Sequence, residues 1–142
     1  MTTTHLTHIT EPPGVAPGTG YTHVVTGTGR LVQVSGQVAF DEQRNLVGAG
    51  DPKAQARQVF ENLRRCLAAA GADFSDVVKF TFFMTDIAHL AAIREARNEY
   101  LGDLPLPAAS AMQVAALFRP DVLIEIEAMA IVREQRSNAV AE

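Results

Sequence analysis

The sequence predicts an α+β protein, a mixed β-sheet with two helices packed on one of its faces. Three observations carry this reading. Residues 77–84 and 122–132 alternate at period two, as half-buried strands do. The segment after Asp51-Pro52 repeats apolar residues at three- and four-residue spacing, and a second such stripe follows Asp86. The order strand, strand, strand, helix, strand, helix, strand, strand leaves too few helices to cover both faces of a sheet.

The elements follow in order. Residues 5–10 form a short strand, and the closely spaced Pro and Gly of 11–20 make an irregular loop. Residues 21–26 and 31–40 read as two strands joined through Gly27-Thr28-Gly29 as a hairpin. In the second, Val32, Val34 and Val38 share one face, while Leu31, Gln33, Ser35 and Gln37 share the other. Asp51 caps the first helix, with Pro52 at its first position and Gly71 as its stop. Val59, Phe60, Leu63, Cys66, Leu67 and Ala70 form its buried stripe, which makes Cys66 a small core residue rather than a nucleophile. Val78, Phe80, Phe82 and Met84 line one side of the next strand. Asp86 caps a second helix with Ile87, Leu90, Ile93, Ala96 and Tyr100 on its apolar side, and strands at 109–117 and 122–132 close the chain.

At 142 residues the chain is one domain, 1–142, with about 134–142 as a loose tail. Its 47% hydrophobic and 20% charged residues are those of a soluble globular protein. A net charge of −4 without a basic stripe gives no footprint for nucleic acid. No apolar run reaches membrane-spanning length, and residues 1–5 lack the form of a signal peptide. The single cysteine excludes an intrachain disulfide, so a cytoplasmic location is expected.

Glu125 and Glu127 interrupt an otherwise apolar final strand. Burying an unpaired carboxylate is costly, so they must face solvent, a cleft or a subunit interface. Alternation places them with Gln33, Ser35, Gln37, Ala109, Ala111 and Gln113 on the face the helices leave open. That mixture suits a subunit interface with pockets, and an oligomer is expected; the plain alternative is a monomer with a wet sheet face. His5 and His8 fall on opposite faces of their strand, and His23 and His89 have no ligand spacing, so no metal site is expected. Gly27-Thr28-Gly29 lacks the third glycine and following helix of a dinucleotide loop.

Ser35-Gly36-Gln37, the helix end Ala68-Ala69-Ala70-Gly71-Ala72, the run from Val77-Val78-Lys79 to Met84-Thr85-Asp86, Glu99-Tyr100, and Glu125-Ile126-Glu127-Ala128-Met129-Ala130 stand in one order and spacing. In this the chain resembles the Rid (RidA, reactive intermediate/imine deaminase, endoribonuclease L-PSP-like) family over nearly its whole length. The resemblance implies a chorismate-mutase-like fold, a homotrimer with three sites between subunits, and cofactor- and metal-free hydrolysis of imines and enamines. It also implies site residues: Glu125 as the acid that positions or activates water, with Tyr21 and Ser35 as pocket residues. Deaminating members have an arginine for the substrate carboxylate where this chain has Ala109. Ala111 stands where cysteine is frequent, Arg94 where many members have an asparagine, and one extra residue lies within Phe118-Arg119-Pro120-Asp121. A methyl group offers no charge-assisted hydrogen bond, so a substrate other than 2-aminoacrylate is expected in a wider, more apolar pocket. The alternatives are a non-catalytic small-molecule binder or chaperone-like trimer of the same fold, and RNA cleavage, against which the acidic balance argues. Partners are therefore other copies of the chain and a small molecule, without nucleic acid or membrane.

Overall fold

A computed structural model describes residues 5–134; the tail expected beyond Arg133 lies, except for Glu134, outside the described residues. The strands are β1 (Thr7–Ile9), β2 (Val24–Thr26), β3 (Arg30–Gln37), β4 (Val77–Met84), β5 (Ala108–Gln113) and β6 (Ile124–Val132). The helices are α1 (Pro52–Ala69) and α2 (Leu90–Leu101). The main sheet has the order β3-β6-β4-β5, antiparallel except for the β4–β5 pair, and both helices lie on one face.

The start of α1 follows from its first two residues. The Asp51 carboxylate accepts hydrogen bonds from the Lys53 and Ala54 amides, and Pro52 supplies a preset φ. Gly71, at φ +73°, turns the chain away at the other end. Between them Val59, Phe60, Leu63 and Leu67 are wholly buried against Val32, Phe80 and Ile126. Each such side chain stabilises the fold by roughly 1.5–3 kcal/mol. Phe60 stacks on Tyr100 of α2 at 5.9 Å and meets Phe80 edge-on at 5.7 Å, so one aromatic ring ties both helices to the sheet. Asp86 caps a short 3-10 turn, Ile87–His89, that leads into α2 rather than capping the helix itself.

Four expectations are corrected here. The segments around Gly27-Thr28-Gly29 do not pair with each other: β2 pairs with β1, and β3 pairs with β6. Gly29, at φ +145°, lies against the Val132 carbonyl, so the link packs on the end of β6 instead of closing a hairpin. A β-bulge between Val34 and Gln37 puts Gln37 in register with Ile126, out of the Leu31–Gln33–Ser35 row. It lines a groove along α1 with Gln58 and Asn62. Finally, Ala109 and Ala111 are in register with Phe80 and Phe82, which places them and Gln113 on the helix-covered face rather than beside Glu125. β5 also ends at Gln113, earlier than the expected 117.

Candidate functional site

Glu125 is in register with Phe83, on the face opposite Phe82, and that face is covered by no other element. Its neighbours there include exposed Glu127 and half-buried Met129 and Ile131. Across the bulge of β3 lies Gly36, and a Cβ there would stand 2.7 Å from the Glu125 Cδ and 2.9 Å from its Cγ. The carboxyl group thus rests on bare backbone. Among the described residues it has no hydrogen-bond or ion-pair partner. Desolvation by burial, and then the charge of Glu127, raise its pKa above the ordinary glutamate value. Ser35, exposed, precedes Gly36 in the same bulge.

The remaining candidates gather on the other side of the sheet. Tyr21, Arg94, Ala109 and Ala111 line a cavity of about 100 Å³ together with Phe82 and Leu90. The irregular loop reaches it because Thr22, buried, donates its amide to the Pro107 carbonyl at 3.1 Å, just before β5. His23 donates its Nε2–H to the Ala16 carbonyl at 2.7 Å and meets the Tyr21 ring edge-on at 5.2 Å, so it braces the loop. Arg94 enters from α2 and donates to the Thr19 carbonyl at 3.2 Å. Gly20 lies beneath its guanidinium: at φ +79° and with a would-be Cβ 3.0 Å from Cζ, the position requires glycine.

The candidate residues therefore form two halves, Ser35 with Glu125 and Tyr21 with Arg94, Ala109 and Ala111. The first half lies on the open face and the second on the helix side, so one chain does not bring them together. Residue patterns had not revealed Gln55, which is wholly buried. Its amide donates to the Gly48 and Asp121 carbonyls at 3.2 and 3.0 Å and accepts from the Leu123 amide at 3.0 Å, fixing the entry to β6 two residues before Glu125. The signal was present: Gln55 falls four residues before Val59, on the apolar stripe of α1. Among the described residues no group of three or more His, Cys, Asp or Glu is placed to hold a metal ion, and no helix is long and apolar enough to cross a membrane.

A mixed four-stranded sheet with two helices on one face and a half-buried carboxylate on the other defines a two-layer α+β protein with a candidate site on its open face. The chain belongs to the family described as endoribonuclease L-PSP, whose model matches residues 12–132. It is similar to protein DfrA of Myxococcus xanthus, 40% identical over 108 residues that cover 76% of this chain and 81% of that protein. It is also similar to a RutC family protein of Pyrococcus abyssi, 39% identical over 102 residues, 72% of this chain and 79% of that one. Among solved structures, the Rid-family protein YyfB of Yersinia pestis superposes with a TM-score of 0.80 at 36% identity, covering 90% of this chain and 99% of that one. RidA of an Antarctic Psychrobacter gives 0.67 at 39% identity, with 83% and 92% covered. The family read from the Ser35-Gly36-Gln37 and Glu125–Ala130 motifs is thereby established, and its two-layer fold with it.

Proposed function

We propose that this protein hydrolyses a small imine or enamine to a carbonyl compound and ammonia, in clefts between the subunits of a homotrimer. The observation that carries the reading is the Glu125 carboxyl group, half-buried, unpartnered among the described residues and raised in pKa on an uncovered sheet face. A carboxylate so placed exchanges protons near neutral pH more readily than an ordinary one. Glu125 takes a proton from water as the water oxygen bonds to the imine carbon, and passes that proton to the nitrogen. The C–N bond of the carbinolamine then breaks as its hydroxyl proton passes through Glu125 to the nitrogen, which leaves as ammonia; an enamine first becomes the imine by moving a proton from nitrogen to its β-carbon. Tyr21 and Ser35 orient the substrate from the two sides of the cleft.

Assembly follows from the division of the candidate residues between the two faces: a second copy laying its cavity edge on the open face joins the halves. The same face carries Leu31 at 58% exposure and Met112 at 37%, apolar surface that an interface would remove from water. Ala109 stands where deaminating relatives are expected to carry their carboxylate-binding arginine, so the substrate differs from 2-aminoacrylate. The half-buried free thiol of Cys66 and the net charge of −4 suit a cytoplasmic enzyme that does not act on RNA.

The test is ammonia release from a panel of imines formed in situ by an amino-acid oxidase, with light scattering to follow assembly. Turnover of at least one bulky imine by a particle of three chain masses, lost in Glu125→Gln, is the expected result. Trimers that bind but turn over no imine would make the protein a non-catalytic binder, and a stable monomer would remove the interface site.

A further inference from the structure

The ladder of the main sheet sets the open face in rows. Ala108, Lys79, Met129 and Gln33 stand side by side in one. Ser110, Thr81 and Glu127 form the next, and Met112, Phe83 and Glu125 the one after, which meets the β3 bulge at Gly36. Within these strands the charged side chains of that face are therefore Glu125, Glu127 and Lys79. Arg30 points the other way and donates to the Ala70 carbonyl at the end of α1, and Arg133 lies past the end of β6. From β3 and β5, Ser35, Gly36, Ser110 and Met112 bring no charge to Glu125.

Lys79 and Glu127 line one cavity of about 50 Å³ with Gln33 and Thr81, and among the described residues no ion pair joins them. Lys53, the chain's other lysine, does hold a carboxylate, at Glu95 and 2.9 Å. Spacing decides which of the three charges act on one another. Next same-face positions of a strand are about 7 Å apart, so Glu127 is within the screening length of Glu125, while the Lys79 position, two rows away at about 14 Å, is beyond it. Lys79 is a diagonal neighbour of Glu127, and the two share the cavity. We infer that Glu127 and Lys79 are positioning residues for the proton on Glu125: the Glu127 charge holds that proton on, and Lys79 weakens the hold by drawing the Glu127 carboxylate into the shared cavity. The charge of Glu127 is felt at Glu125, next after burial, in the direction this requires. Covering the face excludes water and strengthens both effects. The inference rests on the proposed reading in taking Glu125 as the group that moves the proton, and it names what sets the pH at which that group is a free base. In the proposed assembly Tyr21 and Arg94 of a second copy also face Glu125.

The experiment follows the Glu125 carboxyl carbon by NMR through a pH titration of the intact protein, with light scattering to hold the assembly state constant across variants. Glu127→Gln is expected to titrate at lower pH than the native protein and Lys79→Met at higher pH. Lys79→Arg, which keeps the charge, should titrate as the native protein does. Lys79→Met added to Glu127→Gln should shift the midpoint little further, because Lys79 acts through Glu127. The downward shift from Glu127→Gln is expected again in Arg94→Met protein, which lacks the cation a second copy would bring. Where an imine is turned over, the free-base limb of the pH–rate profile should move with each midpoint, whereas a merely structural role would change the rate and leave the limb in place. An unmoved midpoint in Glu127→Gln, which is nearly isosteric and serves as the deciding variant if Lys79→Met does not fold, would overturn the inference. So would shifts of the same sign in both single variants, or a full Lys79 effect in the absence of Glu127. The two claims fail separately. Midpoints that move as expected without turnover of any imine would sink the catalytic reading alone, and turnover lost in Glu125→Gln with unmoved midpoints would sink this inference alone.

Discussion

The Glu125 carboxyl group lies on the backbone of Gly36, so close that a methyl group at residue 36 would stand 2.7 Å from its Cδ. A strand residue normally faces a side chain across the ladder. Here the bulge of β3 and the missing side chain leave a shelf on which the carboxylate is half-desolvated without acquiring a donor.

Gly36→Ala is therefore expected to act on the carboxylate more than on the fold. The atoms in the way belong to the free end of Glu125, which can swing aside. Stability should change by no more than about 1 kcal/mol in urea unfolding, within the ordinary range for single substitutions. Imine turnover should fall at least tenfold. A variant with full turnover would show that the contact does not set the position of Glu125.

The pKa of Glu125 has a readable consequence for pH dependence. Because the folded-state value is raised, the charged form is disfavoured in the fold. Its contribution to stability is fully present below the unfolded pKa and declines as pH rises through the folded value. Carbon-detected NMR should place the titration above that of free glutamate, and the limb of the rate profile that reports the free base should follow it. A midpoint at or below free glutamate would contradict the desolvation argument.

Gln55→Leu keeps the volume of a wholly buried side chain and removes its hydrogen bonds. The Leu123 amide and the Gly48 and Asp121 carbonyls lose their side-chain partner. A cost of about 1–3 kcal/mol is expected, typical of buried polar groups left unsatisfied. Unfolding in urea measures it, and a neutral result would mean that water or a shifted backbone takes over the bonds.

Much of this was legible in the residues, for identifiable reasons. Asp51-Pro52 and a stripe of large apolar groups fix α1, and Val77–Met84 emerges with its observed limits because alternating Phe and Met can face only one core. β5 was the opposite case. Ala108, Ala109, Ser110 and Ala111 are all small, so neither face stands out, and only the parallel register with β4 shows that Ala109 and Ala111 look towards α2. Gln37 was misplaced because a bulge shifts phase without altering composition. The division of the candidate residues between opposite faces is likewise invisible to alternation, which describes each strand separately.

Positions 109 and 94 are expected to act as a specificity switch. The native protein is expected to turn over 2-aminoacrylate poorly, since Ala109 offers its carboxylate no donor from β5. Combining Ala109→Arg with Arg94→Asn moves the guanidinium from helix to strand without placing two cations in one small cavity. That double variant should gain activity on 2-aminoacrylate, and adding Glu125→Gln should cancel the gain. Brisk native turnover of 2-aminoacrylate would contradict the claim that alanine at position 109 changes the substrate.

The central claim is that each site is built from Glu125 of one copy and the Tyr21–Arg94 cavity of another, and mixed trimers test it most directly. Glu125→Gln and Arg94→Met chains, each expected to be inactive when assembled alone, are unfolded together, refolded and assayed on the best imine substrate. Random assembly in a closed ring restores both native halves at about a quarter of the interfaces. Recovery of roughly that share of native turnover is the predicted result. Mixed trimers as inactive as their parents would contradict the claim that the two halves come from different copies.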